Sequence, residues 1–142
     1  MTPEAPVPTD GDPGRARTAT LTLECDARCV RAARAFATRL ADLLLPDDRV
    51  LHERDVQSLA LMVSELVTNA VEHGDGGVVV TIRCPGDRLR VEITDAGSAV
   101  PERRYAMPGA LSGRGLEIVE RLAQGWGWEP LASGGKRVWF EY

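Results

Sequence analysis

The chain of 142 residues is long enough for one domain with a real core and too short for two of ordinary size. Hydrophobic residues at 44% and charged residues at 27% exclude a chain that is disordered throughout. Seventeen Lys and Arg against 21 Asp and Glu leave a net charge of −4, which argues against nucleic acid as the main partner, because phosphate contacts usually come with a basic excess.

No apolar run approaches the ~18 residues needed to span a bilayer, and the N-terminus lacks the apolar core of a signal peptide. A cytoplasmic protein with no membrane partner is therefore expected. The cysteines, Cys25, Cys29 and Cys84, are odd in number and cannot all pair within one chain. Only His52 and His73 are available to complete a metal half-site at Cys25 and Cys29, and zinc normally takes four ligands. The thiols read as structural or incidental, with no cysteine-bound metal.

Residues 1–17, with Pro3, Pro6, Pro8 and Pro13, read as a disordered tail, and residues 18–142 as the domain. Leu21 and Leu23 alternate with threonines between Thr18 and Glu24, as in a half-buried strand. Asp26 is placed to cap a helix running to about Leu45, with Val30, Ala33, Ala37, Leu40 and Leu44 at helical spacing. Pro46 and Asp47–Asp48 end it. A second helix is expected from about Glu53 to Gly74. The run Val78 to Cys84 then reads as a β-branched strand, and Pro85-Gly86-Asp87 turns it into an antiparallel partner, LRVEITD, ending at Asp95. Ala96 to Ser112, rich in Gly, Ala, Pro and Arg, reads as a long loop. A third helix follows Gly113–Gly115, and WGWEPL and KRVWFEY form a hairpin around Ser133-Gly134-Gly135. These elements predict an α+β two-layer sandwich: a largely antiparallel mixed sheet with three helices on one face.

Three places stand out chemically. ELVTNAVEH puts Glu65, Asn69 and His73 at successive i, i+4 positions, in one row. A solvated face is the ordinary reading of such a row. However, Leu61 and Met62 flank Glu65, and Leu59, Val63, Val67 and Ala70 form the core stripe, so the row also fits the wall of a pocket. Asp95-Ala96-Gly97 ends the second central strand. A carboxylate there can accept a hydrogen bond from an amino group, and Gly97 permits close backbone approach; a plain turn is the alternative. Ser112-Gly113-Arg114-Gly115-Leu116 opens the third helix with two glycines, which lets backbone N–H groups approach a phosphate; a flexible helix start is the alternative. It is neither a P-loop nor a dinucleotide fingerprint.

Taken in order, these segments resemble the Bergerat-fold ATP-binding superfamily of gyrases and histidine kinases. ELVTNAVEHG is similar to its N box, DAGSAVP to its first glycine box and GRGLEIV to its second. Within it the chain most resembles the compact anti-sigma-factor serine/threonine kinases and their actinobacterial stand-alone relatives, over roughly Thr18 to Tyr142. WGWEP and GKRVWFEY add to that likeness. The resemblance implies that Asn69 ligates Mg²⁺ together with the phosphates of ATP, and that Asp95 receives the adenine amino group and rejects guanine. It implies that Gly97, Gly113 and Gly115, with Leu116 beside them, line the nucleotide under a lid formed by 96–112. Glu65 is then the candidate general base, at an ordinary carboxylate pKa. Larger relatives have a further glycine where this chain has Ala99, so the lid is expected to depart from theirs.

The activity implied is ATP-dependent phosphorylation of a seryl or threonyl hydroxyl on a small antagonist protein. A sigma factor is a second candidate partner and a homodimer a candidate assembly. The alternative is a nucleotide-binding partner-switch module without kinase activity. A histidine kinase is disfavoured, because His52 lies near a helix start with no phosphoacceptor helices around it. His73 is read as structural or capping. Arg103, Arg104 and Arg114 read as solvated loop charges, Lys136 and Arg137 as surface residues of the last hairpin, and Trp126, Trp128 and Trp139 as filling the sheet.

Overall fold

A computed structural model describes residues 17–24, 26–101 and 115–142. Its elements run β1 (Arg17–Leu23), α1 (Cys29–Leu44), α2 (Glu53–His73), β2 (Val78–Cys84), β3 (Arg90–Asp95), α3 (Gly115–Leu122), β4 (Gly125–Pro130) and β5 (Lys136–Glu141). The strands form one sheet in the order β1-β2-β3-β5-β4, and all of these pairings are antiparallel. With the three helices, this is the expected α+β sandwich. The tail, apart from Arg17, and most of the 96–112 loop lie outside the described residues.

Strand periodicity sets which face is covered. Val78, Val80, Ile82 and Cys84 of β2 are buried, while Val79, Thr81 and Arg83 between them are only partly so. Ala19, Leu21 and Leu23 of β1 and Val91 and Ile93 of β3 continue the buried layer, with Phe140 of β5 fully enclosed. Ala33, Ala37 and Ala41 form an i, i+4 row on α1 with no exposed surface. These small side chains let α1 pack closely on α2. From α2 come Leu59, Met62, Val63, Leu66, Val67 and Ala70. Met62 is fully buried but Leu61 is 42% exposed, so α2 is not apolar all round: Glu65 has a packed flank on one side only. No described helix is long and apolar enough to cross a membrane.

The helix starts differ from one another. Asp26 does not cap α1, which begins at Cys29 with Arg28 at the capping position and no side-chain cap. The Asp26 carboxylate instead accepts the Arg28 backbone N–H at 2.7 Å, closing a turn two residues ahead of the helix. At α2, His52 occupies the capping position and its N–H donates to Asp55 Oδ2 at 3.0 Å. The Tyr142 hydroxyl donates to Asp55 Oδ1 at 2.8 Å, tying the residue after β5 to the first turn of α2. Led by the Tyr142 hydroxyl, these donors hold the Asp55 carboxyl below its usual range.

The uncovered sheet face carries a charge network. Glu92, nearly buried, accepts from Arg83 at 2.6 Å and Arg90 at 2.8 Å, with Arg137 3.5 Å away. Arg90 lies 3.9 Å from the centre of the Trp139 ring. Trp139 therefore packs on this face, Trp126 packs against the core, and Trp128, opposite Val138, is 39% exposed.

The β4–β5 turn is as expected, with the Leu131 N–H donating to the Gly135 carbonyl at 3.0 Å. Gly135 has φ +82°, and a Cβ there would lie 2.2 Å from the Asp95 carbonyl oxygen. Gly76 also has positive φ, +106°, but a Cβ there would meet nothing within 4 Å. Gly76→Ala is therefore expected to cost only the conformational strain, about 1–2 kcal/mol. Gly135→Ala should cost clearly more, because strand β3 must also move; urea unfolding of the two variants measures the difference.

Candidate functional site

The site assembles where the C-terminal half of α2 meets the end of β3 and the start of α3. Helical geometry sets Glu65, Asn69 and His73 one turn apart along α2, with Glu65 and Asn69 half-buried and His73 exposed. Gly115, the first residue of α3, sits directly against this row. A Cβ on it would lie 3.0 Å from Asn69 Nδ2 and 3.2 Å from Glu65 Oε2, so α3 approaches the two polar side chains as closely as it does because residue 115 is glycine. Leu116, next in line, is buried and anchors that end of α3 in the core. Gly113 lies outside the described residues, as do Ser112, Arg114, Arg103 and Arg104.

At the far end of α2, Gly97 plays the matching part. A Cβ there would lie 2.7 Å from the His73 carbonyl oxygen, 2.8 Å from Gly74 Cα and 2.9 Å from Asp95 Oδ1. The last turn of α2 and the strand end are thus in contact through their backbones. His73 contributes its carbonyl to this junction, while its ring lies 3.8 Å from Glu72.

Asp95 is almost wholly enclosed, its side chain 2% exposed. Its Oδ1 accepts the Gly97 N–H at 2.7 Å and the Lys136 ammonium at 3.0 Å. Lys136 also donates to the Gly97 carbonyl at 3.4 Å. The reading of Lys136 as a surface residue is therefore wrong. It stands directly opposite Asp95 in the β3–β5 register, on the helix-facing side, with its side chain 8% exposed. The signal was present in KRVWFEY: strand alternation puts Lys136 in phase with Val138 and Phe140, the buried residues of β5. Arg137, out of phase, is partly exposed and pairs with Glu129 at 2.9 Å.

Burial, reinforced by the negative charge of Glu72, pushes the Glu65 carboxyl above its ordinary value. The expectation of an unshifted carboxylate is corrected accordingly. Among the described residues no three His, Cys, Asp or Glu side chains cluster as a metal site. A lone carboxamide beside a glycine cradle does fit Mg²⁺, which commonly takes one or two protein oxygens and fills its shell with phosphate and water. Asn69 is the residue that would hold it.

The sequence pattern of the histidine kinase-like ATPase domain matches residues 23–141. The chain belongs to that family. Among solved structures, the RsbU and RsbW domains of Rv1364c from Mycobacterium tuberculosis share the fold, with a TM-score of 0.63 and 23% identity. The match covers 88% of this chain and 32% of that one, so this chain spans about a third of the length of that solved chain. No match is found among curated proteins. In this kinase-like ATPase domain the Glu65–Asn69 row, the Asp95–Gly97 strand end and the opening of α3 border one region, with the backbone of α2 against Gly97 and the Glu65 and Asn69 side chains against Gly115.

The raised Glu65 pKa has a sign that stability measurements can read. Folding favours its protonated form, so the native state loses stability as pH rises from below the unfolded carboxylate value, about 4.3, through the raised native one. Glu65→Gln removes that loss. The variant is expected to be more stable than the parent at pH 7, with the advantage shrinking to nothing as pH falls below about 4. Melting temperatures across that range test this, and a pH-independent difference would contradict it.

Proposed function

We propose that this domain binds Mg²⁺-ATP with adenine at Asp95 and phosphates between the Asn69 row and the start of α3, and that it passes the γ-phosphate to a seryl or threonyl hydroxyl of a small partner protein. The reading is that of an anti-sigma-factor-type serine/threonine kinase, with an antagonist protein as substrate and a sigma factor as second partner. One observation carries it: Gly115 brings α3 against Glu65 and Asn69, while Gly97 joins the same helix to the buried Asp95 carboxylate. The family match and the RsbW-containing neighbour support it.

Asp95 presents a hydrogen-bond acceptor in a low-dielectric setting, which favours the 6-amino group of adenine over the 6-oxo group of guanine. Mg²⁺ held by Asn69, when bound, supplies neutralisation of phosphate charge. Glu65 stands one helical turn from Asn69 and is made more basic than an ordinary glutamate by its burial. Its role is to accept the proton of the attacking hydroxyl as oxygen bonds to the γ-phosphorus. The bond from that phosphorus to the β–γ bridging oxygen breaks, ADP leaves, and the proton remains on the Glu65 carboxyl. No covalent enzyme intermediate is required.

The test begins with thermal stability in Mg²⁺ with ATP, ADP or GTP. Adenine nucleotides at 100 times their dissociation constant should add about 2.7 kcal/mol, a shift of several degrees, with no shift from GTP. Asp95→Asn should abolish the shift. Glu65→Gln should keep it while slowing phosphate transfer from γ-labelled ATP by about a hundredfold or more. Equal transfer by Glu65→Gln would remove Glu65 from the chemistry, and the absence of any adenine-dependent shift would overturn the ATP reading itself.

A further inference from the structure

The Asp95 carboxylate does not face the ligand alone, and we infer that Lys136 is a second reader of the base, donating a hydrogen bond to purine N1 beside the amino group that Asp95 accepts. This rests on the adenine reading proposed above.

The argument starts from donor and acceptor counts. A carboxylate has two oxygens, and among the described residues both hydrogen bonds to Asp95 fall on Oδ1. Oδ2 is left for the ligand. An ammonium has three N–H donors, and the described residues take two from Lys136, at Asp95 Oδ1 and the Gly97 carbonyl. One N–H is left. The pair therefore offers one acceptor, Oδ2, and one donor on neighbouring side chains, tied together by the 3.0 Å contact between Lys136 Nζ and Asp95 Oδ1. The Watson–Crick edge of adenine is the complement: a 6-amino donor next to the N1 acceptor. A single carboxylate reads one group of a base, whereas this pair reads two neighbouring groups, the 6-amino group and N1, and fixes the orientation of the ring.

Position supports the same assignment. Asp95 and Lys136 are directly opposed in the β3–β5 register, so the backbone ladder and not a flexible loop sets their spacing. Gly135, locked by its positive φ against the Asp95 carbonyl, fixes where β5 begins and hence where Lys136 enters. A long, mobile side chain at the first residue of a hairpin strand is normally solvated. Here it is buried with its partner, in phase with Val138 and Phe140, so its ammonium is held at the strand end beside Asp95.

The experiment compares ADP with 1-deaza-ADP, which keeps the 6-amino group but has a carbon–hydrogen in place of N1. Binding is measured calorimetrically in Mg²⁺ to the wild-type chain and to Lys136→Met and Lys136→Arg. The wild type should bind 1-deaza-ADP about ten- to a hundredfold more weakly than ADP, the usual consequence of losing a hydrogen bond to a charged donor. Lys136→Met should bind both ligands weakly and about equally. Lys136→Arg, which keeps charge and donors, should restore part of the preference for ADP. A lysine that merely held Asp95 in place would weaken both ligands in parallel and leave their ratio unchanged. Equal affinity of the wild type for ADP and 1-deaza-ADP overturns the inference while leaving the adenine site standing, and requires no variant to fold. Failure of the wild type to bind ADP overturns the adenine reading and this inference with it.

Discussion

The arrangement depends on a buried carboxylate. Asp95 ends β3 inside the layer between sheet and helices, where an unpaired negative charge would be costly. Its neighbours are shaped to meet it: the Gly97 N–H folds back onto it, Lys136 reaches it from the adjacent strand, and Gly74 and Gly97 leave room for the end of α2. Each of these is a local feature of a different element. Together they pin β3, β5 and α2 at one point, and that point faces the region where a ligand is proposed to bind.

From that point α2 works as a ruler. Its apolar face is committed to the sheet and to the alanine row of α1, which fixes its rotation. With rotation fixed, Glu65 and Asn69 are displayed at two turns and one turn before the Asp95 junction. The start of α3 can approach them only because residue 115 has no side chain. The opposite sheet face shows another solution to the burial of charge. Glu92 is nearly enclosed too, but arginines on three strands satisfy it and leave a structural network with no sign of ligand recognition.

Much of this was legible in the sequence. Strand alternation and helical spacing identified every element, and the hairpin turns were marked by Pro85-Gly86-Asp87 and Ser133-Gly134-Gly135. The polar row on α2 and the Asp-x-Gly strand end read as candidate sites without any fold. What sequence spacing did not convey was pairing between distant segments. Lys136 was treated by residue type, as a charge near a turn, although its phase with Val138 and Phe140 pointed inward. Asp26 had the chemistry of a cap but bonded two residues ahead and closed a turn instead. The elevation of the Glu65 pKa arises from burial, which depends on what α3 and the core bring alongside, and so no local pattern announced it. Leu61 fell outside the packed face because the core contacts only one flank of the row.

The central claim is that one ligand spans the C-terminal half of α2, from the Asp95 junction to the start of α3, and the most direct measurement is a map of backbone amide resonances in the labelled chain on addition of Mg²⁺-ADP. The account predicts that the largest shifts fall on Gly97, Gly115 and Leu116 together, with Thr20, Thr81 and Trp139 on the uncovered sheet face unmoved. Shifts concentrated on that uncovered face, or on only one of the two glycine segments, would contradict it.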